Sequence, residues 1–147
     1  MKCSFVVVLT LIIGSVLSAA GDPQLRRAQE LIDWIEGDME GTLIIMFYDH
    51  DAPDSRTKAM REEIDRELLR PNPGFHYYEV DVLIEDFKDA VTMCELNLKE
   101  IKHSPTVMVS SDGNGLWAHG QGAVQEIKYQ LPEYSIDIRR QLGLIRR

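Results

Sequence analysis

The stretch that decides the fold of this 147-residue chain reads Thr42-Leu-Ile-Ile-Met-Phe-Tyr48 and then Asp49-His-Asp-Ala-Pro-Asp-Ser55. Its first half is a continuous, largely apolar run, which is typical of a strand buried on both faces of a sheet. Its second half is a polar loop that leads into a charged segment with one narrow apolar stripe, and this predicts a helix from about Pro53 to Leu69. A buried strand followed by an amphipathic helix indicates an α/β fold.

The segments on either side extend this alternation of helices and strands. Apolar residues spaced by three and four predict helices over residues 23–36, 87–101 and 134–145. Short apolar runs predict strands over residues 75–82, 106–109 and 116–119. Pro132 is expected to interrupt the segment from Val124 to Leu131. Strands separated by helices are expected to pair in parallel and the final hairpin antiparallel, so we predict a mixed sheet of about four strands flanked by helices.

This order of elements resembles the thioredoxin fold across most of residues 23–145. Three local features carry the resemblance: Phe47-Tyr48 running into a loop with a proline, Glu79-Val-Asp81 at the end of the next strand, and Ser104-Pro105-Thr106 before a hydrophobic strand. The last of these looks like the cis-proline turn of the family, and an X-Pro bond is the one peptide bond that becomes cis at modest cost. The resemblance implies one thioredoxin-like domain over residues 21–147.

The thiol pair of redox-active thioredoxins has no counterpart in this sequence. In those proteins a C-x-x-C motif follows the first buried strand, and by this resemblance the equivalent residues here are Ala52, Pro53, Asp54 and Ser55. Met46 falls where active members bury an aspartate. An alanine has no nucleophile and a serine hydroxyl is a poor one without a base. The resemblance therefore implies a redox-inactive member with no catalytic residues, and we predict that the domain is not an enzyme.

Cys94 is the one thiol of the predicted domain, because Cys3 lies in the N-terminal apolar segment. A disulfide within the domain is thus excluded. Cys94 is predicted in the middle of a helix, on its packed face and away from any helix N-terminus, and such a site disfavours the thiolate. A small buried apolar residue is the favoured interpretation of this cysteine.

Residues 1–20 form a separate apolar segment, predicted to be helical. Lys2 precedes an uncharged run, and Ser18-Ala-Ala20 ends it, which is typical of a secretory signal peptide cleaved after Ala20. Residues 3–20 also form eighteen uncharged positions, at the short end of what spans a bilayer, so a retained membrane anchor is the alternative. Both interpretations place the domain across a membrane, in the lumen of the secretory pathway or outside the cell if cleaved, and in a lumenal or intermembrane space if anchored.

The net charge of the chain and the composition of the loop after Tyr48 restrict the kinds of ligand that the domain is expected to bind. A formal net charge of −8 with no basic stretch argues against nucleic acid, which requires a Lys/Arg surface. The loop residues Asp49, His50, Asp51 and Asp54 lack the glycine turn and the ligand number of a calcium loop, and we interpret them as a solvated loop in which Asp51 caps the next helix. The sequence predicts no metal site and no cofactor.

The predicted partner is therefore a protein. In the thioredoxin-like family, extended peptides bind between the redox loop and the proline turn, and by resemblance this groove is lined here by His50, Ala52, Pro53, Ser55, His103, Ser104 and Pro105. The first hypothesis is a non-catalytic binding or scaffolding domain. Two alternatives stay open: an accessory subunit of an organellar or respiratory membrane complex, anchored by residues 3–20, and a glutathione-type enzyme that uses Ser55 as a hydrogen-bond donor.

Overall fold

A computed structural model describes residues 23–145 of the chain. The predicted signal peptide or anchor at residues 1–20 lies outside the described residues. Within residues 23–145, no helix has both the length and the apolar character needed to cross a membrane.

The helices and strands follow the predicted alternation. In chain order they are α1 (Pro23–Glu36), β1 (Thr42–Tyr48), α2 (Asp54–Ile64), β2 (His76–Asp81), α3 (Lys88–Met93), α4 (Leu98–Ile101), β3 (Thr106–Ser111), β4 (Asn114–His119), α5 (Ala123–Tyr134) and α6 (Ile136–Gln141). A π-helical turn at Asp65–Leu69 continues α2, and a 3₁₀ turn at Glu85–Phe87 precedes α3.

The four strands form one mixed sheet in the order β2-β1-β3-β4. β1 and β2 are parallel, and β3 is antiparallel to both β1 and β4. The parallel pairing expected for β3 is therefore wrong. The connection from β2 to β3 starts and ends at the same end of the sheet, where Tyr48 lies opposite Asp81 and Phe47 opposite Thr106. With six residues, α3 spans about 9 Å and is too short to carry the chain to the other end of the sheet.

Two apolar cores lie on opposite faces of the sheet, and successive residues of β1 point alternately into them. Leu43, Ile45 and Phe47 contact the core beneath α1 and α3, which contains the buried Trp34. Ile44 and Met46 contact the core beneath α2 and α5. The interpretation of residues 42–48 as a strand buried on both faces is confirmed, and helices cover both faces of the sheet.

Three helix predictions need correction. The segment 87–101 is not one helix, because α3 ends at Met93 and Glu95 adopts a left-handed backbone conformation with φ of 52°. Pro132 does not interrupt its segment: α5 continues to Tyr134 because its apolar face is packed in the core and the proline lies in its last turn. The last helix is shorter than predicted and ends at Gln141.

Candidate functional site

The loop after β1 turns sharply and presents the start of α2. The buried Asp49 carboxylate accepts a hydrogen bond from the Asp51 backbone N–H (2.8 Å), and the Ala52 N–H donates to the Asp49 carbonyl (3.0 Å). Pro53, and not Asp51, is the residue that precedes the helix, and no side chain caps the helix there. The cap predicted for Asp51 is therefore wrong, because Asp49 is the residue whose carboxylate organises the loop.

The four residues predicted to occupy the redox-loop positions lie at this helix start. Ala52 is half-buried in the loop, Pro53 is exposed, and Asp54 and Ser55 are exposed in the first turn of α2. Behind them, Met46 of β1 is fully buried in the core beneath α2. This arrangement places an exposed serine hydroxyl in the first helical turn, and a serine hydroxyl is a poor nucleophile unless a base activates it.

The turn at His103–Pro105 lies directly against the start of α2. The Arg56 guanidinium donates from Nη1 to the His103 carbonyl oxygen (2.6 Å). Pro105 is buried, Ser104 is half-buried and His103 is exposed. No cis peptide bond occurs within the described part of the chain, so the bond before Pro105 is trans. The expected proximity of the loop and the turn is present, but the prediction that the turn contains a cis-proline is wrong.

His50 is held by a residue that the sequence analysis did not assign to the site. Its Nδ1 lies 2.6 Å from Oδ2 of Asp81, and the Asp81 side chain is nearly buried while that of His50 is about half exposed. The hydrogen bond with this carboxylate raises the pKa of His50 above its ordinary value. His50 therefore serves to fasten the loop to the end of β2, and its pairing with Asp81 follows from the adjacent carboxyl ends of two parallel strands.

A second polar network fixes α2 on the sheet. Arg61 of α2 makes a bidentate ion pair with Glu79 of β2, with Nε–Oε1 at 2.6 Å and Nη2–Oε2 at 2.8 Å. The Tyr77 hydroxyl donates to the same carboxylate (2.9 Å). The hydrogen bond from Arg61 lowers the pKa of Glu79, and burial raises the pKa of Tyr77. These contacts set the position of the helix that begins at the loop.

A cleft of about 580 Å³ opens beside this helix start. Its walls come from α2, from the turn before β3 and from the connection between β4 and α5, and its lining residues are Arg56, Ala59, Met60, Glu63, His103, Ser104, His119, Gly120 and Gln121. Only His103 and Ser104 of this set were among the predicted groove residues. Arg56 and His119 were missed, since nothing in their local sequence distinguishes them from other exposed polar residues.

Cys94 directly follows α3 and is buried, so the prediction of a packed thiol is confirmed although its position within a helix is not. Its Sγ donates to Sδ of Met108 at 3.6 Å. Burial raises the pKa of the Cys94 thiol to about 11. The thiol form is therefore strongly favoured at neutral pH, and Cys94 does not supply a reactive thiolate.

Comparison with known proteins bears on the fold. No family model and no curated protein sequence matches the chain. The structure is similar to that of oxidised mitochondrial thioredoxin 3 from Saccharomyces cerevisiae, with a TM-score of 0.51, 20% identity, and coverage of 71% of this chain and 88% of that chain. It is also similar to a structure from a study of thiol resolution in yeast mitochondrial 1-Cys peroxiredoxin through glutathione and thioredoxin systems, with a TM-score of 0.51, 20% identity, and coverage of 69% and 85%.

Proposed function

Because this chain has a thioredoxin-like fold with Ala52 just before its second helix and Ser55 in the first turn of that helix, we propose that it is a non-catalytic domain that binds a segment of a partner protein. The observation that carries the proposal is the open cleft beside a helix start that lacks thiols. By resemblance, redox-active thioredoxins hold the reacting pair at this helix start, so a chain with a cleft beside it and no thiol there could bind a segment without exchanging disulfides.

The remaining thiol chemistry of the domain supports the same proposal. Cys94 is buried, bonds to Met108 and has a pKa raised to about 11, so it does not replace the missing pair. His50 is engaged by Asp81, and no base lies within hydrogen-bonding distance of the Ser55 hydroxyl among the contacts of residues 23–145. These contacts provide no group that would activate the Ser55 hydroxyl for a glutathione-type reaction.

Binding is tested by filling the cleft. Peptides that bind the full-length chain are selected from a displayed library, and their affinity is then measured for Ala59→Trp, which places a large side chain on the cleft wall. Lys58→Trp adds the same side chain one position away on the same helix and is the matched control. We expect the first variant to lose binding and the second to keep it. Equal binding to both variants would show that the cleft is not the binding site.

Catalysis is tested in parallel. Insulin reduction is expected to be negative for the wild-type chain, because no thiol is present at the helix start. Glutathione binding is also expected to be negative if the domain is not a glutathione-type enzyme. Turnover that survives Cys94→Ser would overturn the non-catalytic assignment, since the activity would then have to arise elsewhere in the domain.

The compartment is a separate proposal that depends on residues 1–20. Mass spectrometry of the mature N terminus tests it: a chain that starts at Gly21 supports a soluble domain in the secretory lumen or outside the cell, and a chain that retains Met1 or Lys2 supports a membrane-anchored accessory subunit.

A further inference from the structure

Three cationic or imidazole side chains from separate elements converge on the cleft. Arg56 comes from the first turn of α2, His103 from the turn before β3, and His119 from the end of β4. They meet there although the chain as a whole carries a net charge of −8. The cleft thus brings together three side chains that can donate hydrogen bonds to an anion, and its lining also contains one carboxylate, that of Glu63.

Two of these side chains are oriented by contacts that leave part of each group free. Arg56 uses Nη1 to bond the His103 carbonyl (2.6 Å), and no carboxylate forms an ion pair with it within residues 23–145. Nδ1 of His119 lies 2.9 Å from the Thr106 hydroxyl, which leaves Nε2 as the ring nitrogen without a protein partner in these contacts. A guanidinium has five N–H donors, so Arg56 keeps most of its capacity to bind a carboxylate.

Two backbone N–H groups in the lining of the cleft already have hydrogen-bond partners within the protein. The Ser104 N–H donates to the Glu100 carbonyl (3.2 Å), and the Gly120 N–H donates to the Pro105 carbonyl (3.1 Å). A bound peptide thus finds these two N–H groups already engaged. The side chains of the rim and the apolar wall formed by Ala59 and the buried Met60 remain available for recognition.

We infer that the cleft binds an acidic segment of the partner protein, in which an Asp or Glu carboxylate pairs with Arg56 and an adjacent apolar side chain packs on Met60. This inference rests on the proposed binding function and specifies the chemistry of the ligand. Glu63 sets the direction of the segment: it lies seven residues beyond Arg56 on α2, about 10 Å along the helix, and repels a carboxylate at that end of the cleft.

The net negative charge of the protein repels an acidic ligand, but this repulsion acts over longer distances than the direct contact with Arg56. Exposed charges farther away than a Debye length, about 8 Å at physiological ionic strength, are largely screened. Arg56 is an exposed residue at the edge of the cleft and acts at contact, and a charge-assisted hydrogen bond is roughly twice as strong as a neutral one. The local contact therefore determines which segment binds, and the overall charge mainly slows its approach.

The test compares two peptides that differ only in charge. One alternates Glu with Leu and the other alternates Gln with Leu, each flanked by Gly-Ser segments and labelled with a neutral fluorophore, and anisotropy reports binding to the full-length chain. We expect the Glu peptide to bind about tenfold more tightly, as for a hydrogen bond to a charged group. Arg56→Gln should abolish this preference, and Lys58→Gln, a neighbouring change of the same charge, should preserve it.

The outcomes separate this inference from the proposed function. Equal affinity for the two peptides, or a preference for the Gln peptide, overturns the inference. The same holds if neither peptide binds while library-selected peptides bind in a manner lost in Ala59→Trp, and in that case the binding function stands. A preference for Glu that persists in Arg56→Gln also overturns it, because another cation would then be responsible. Thermal unfolding of each variant checks that the fold is intact.

Discussion

The two ends of the sheet both carry polar side chains, but a cluster of hydroxyl groups at one end is buried and hydrogen-bonded whereas the start of α2 at the other end is exposed. At the end where β1 starts, the Thr42 hydroxyl lies 2.7 Å from the Ser135 hydroxyl and donates to the Asp137 carboxylate at 2.7 Å. The Ser111 hydroxyl donates to the Gly41 carbonyl (2.7 Å) and accepts from the Ile136 N–H (3.1 Å). The three hydroxyl groups are buried, and they tie α6 to the sheet.

At the end where β1 finishes, Asp54, Ser55 and Arg56 are exposed, and His103 lies across from them. Of these residues, Arg56 and His103 line the cleft, where a ligand can reach them. Satisfied and buried polar groups hold a fold together, whereas accessible groups with spare hydrogen-bonding capacity are available for binding. The comparison indicates a stabilising role for the buried hydroxyl groups near Thr42, and the exposed start of α2 lies beside the cleft for which we propose a binding function.

Thr42→Val removes one of the buried hydroxyl groups at the end where β1 starts, and it is expected to have the largest effect on stability. Valine keeps the shape of threonine but removes the hydroxyl that serves both Ser135 and Asp137. We expect a loss of about 2–3 kcal/mol in the free energy of unfolding and a fall of roughly 10 °C in Tm. Urea and thermal unfolding measure both quantities.

Ser55→Ala is the matched change at the end of the sheet where β1 finishes. It removes an exposed hydroxyl from the first turn of α2 and should alter stability by no more than about 0.5 kcal/mol. Similar losses in Ser55→Ala and Thr42→Val would contradict the stabilising role of the buried hydroxyl groups near Thr42.

The sequence predicts the elements that are defined by contiguous residues. The bounds of β1 agree with the prediction because an apolar run lies between Gly41 and the polar Asp49, and both faces of the strand are buried. α1 is likewise set by its apolar spacing. The break between α3 and α4 lies at the left-handed backbone of Glu95 and was missed, although Asn97, which caps α4 by accepting from the Lys99 N–H, is a residue type that favours a helix start.

The site is only partly predictable for a related reason. The location of Ala52 and Ser55 at the start of α2 could be predicted because they are close in sequence to a recognisable strand. The contact between His50 and Asp81 joins residues that are 31 positions apart, and it could have been inferred from the rule that parallel strands end at the same edge of a sheet. The grouping of Arg56, His103 and His119 depends on the paths of three separate segments, which periodicity does not determine.

The end where β1 finishes also allows a test of the positions assigned to the missing thiols. Ala52→Cys and Ser55→Cys, introduced together in a chain that carries Cys3→Ser and Cys94→Ala, should form an internal disulfide. Closing so short a loop is expected to stabilise the oxidised form by about 1–2 kcal/mol. Mass spectrometry after alkylation detects the bond, and unfolding with and without reductant gives its effect. Two free thiols under oxidising conditions would disprove the assignment.

The smallest expected effect is the pH dependence of the contact that fastens the open loop. The hydrogen bond with Asp81 raises the pKa of His50 above that of the unfolded chain, so folding favours the protonated ring. The stabilisation is fully present below the ordinary histidine pKa of about 6.5 and is lost as the pH rises through the higher value of the folded state. The difference in unfolding free energy between the wild type and His50→Gln should therefore shrink as the pH is raised through this window. Asp81→Asn should lower the NMR titration midpoint of His50, and an unchanged midpoint would show that Asp81 does not set the charge of the ring.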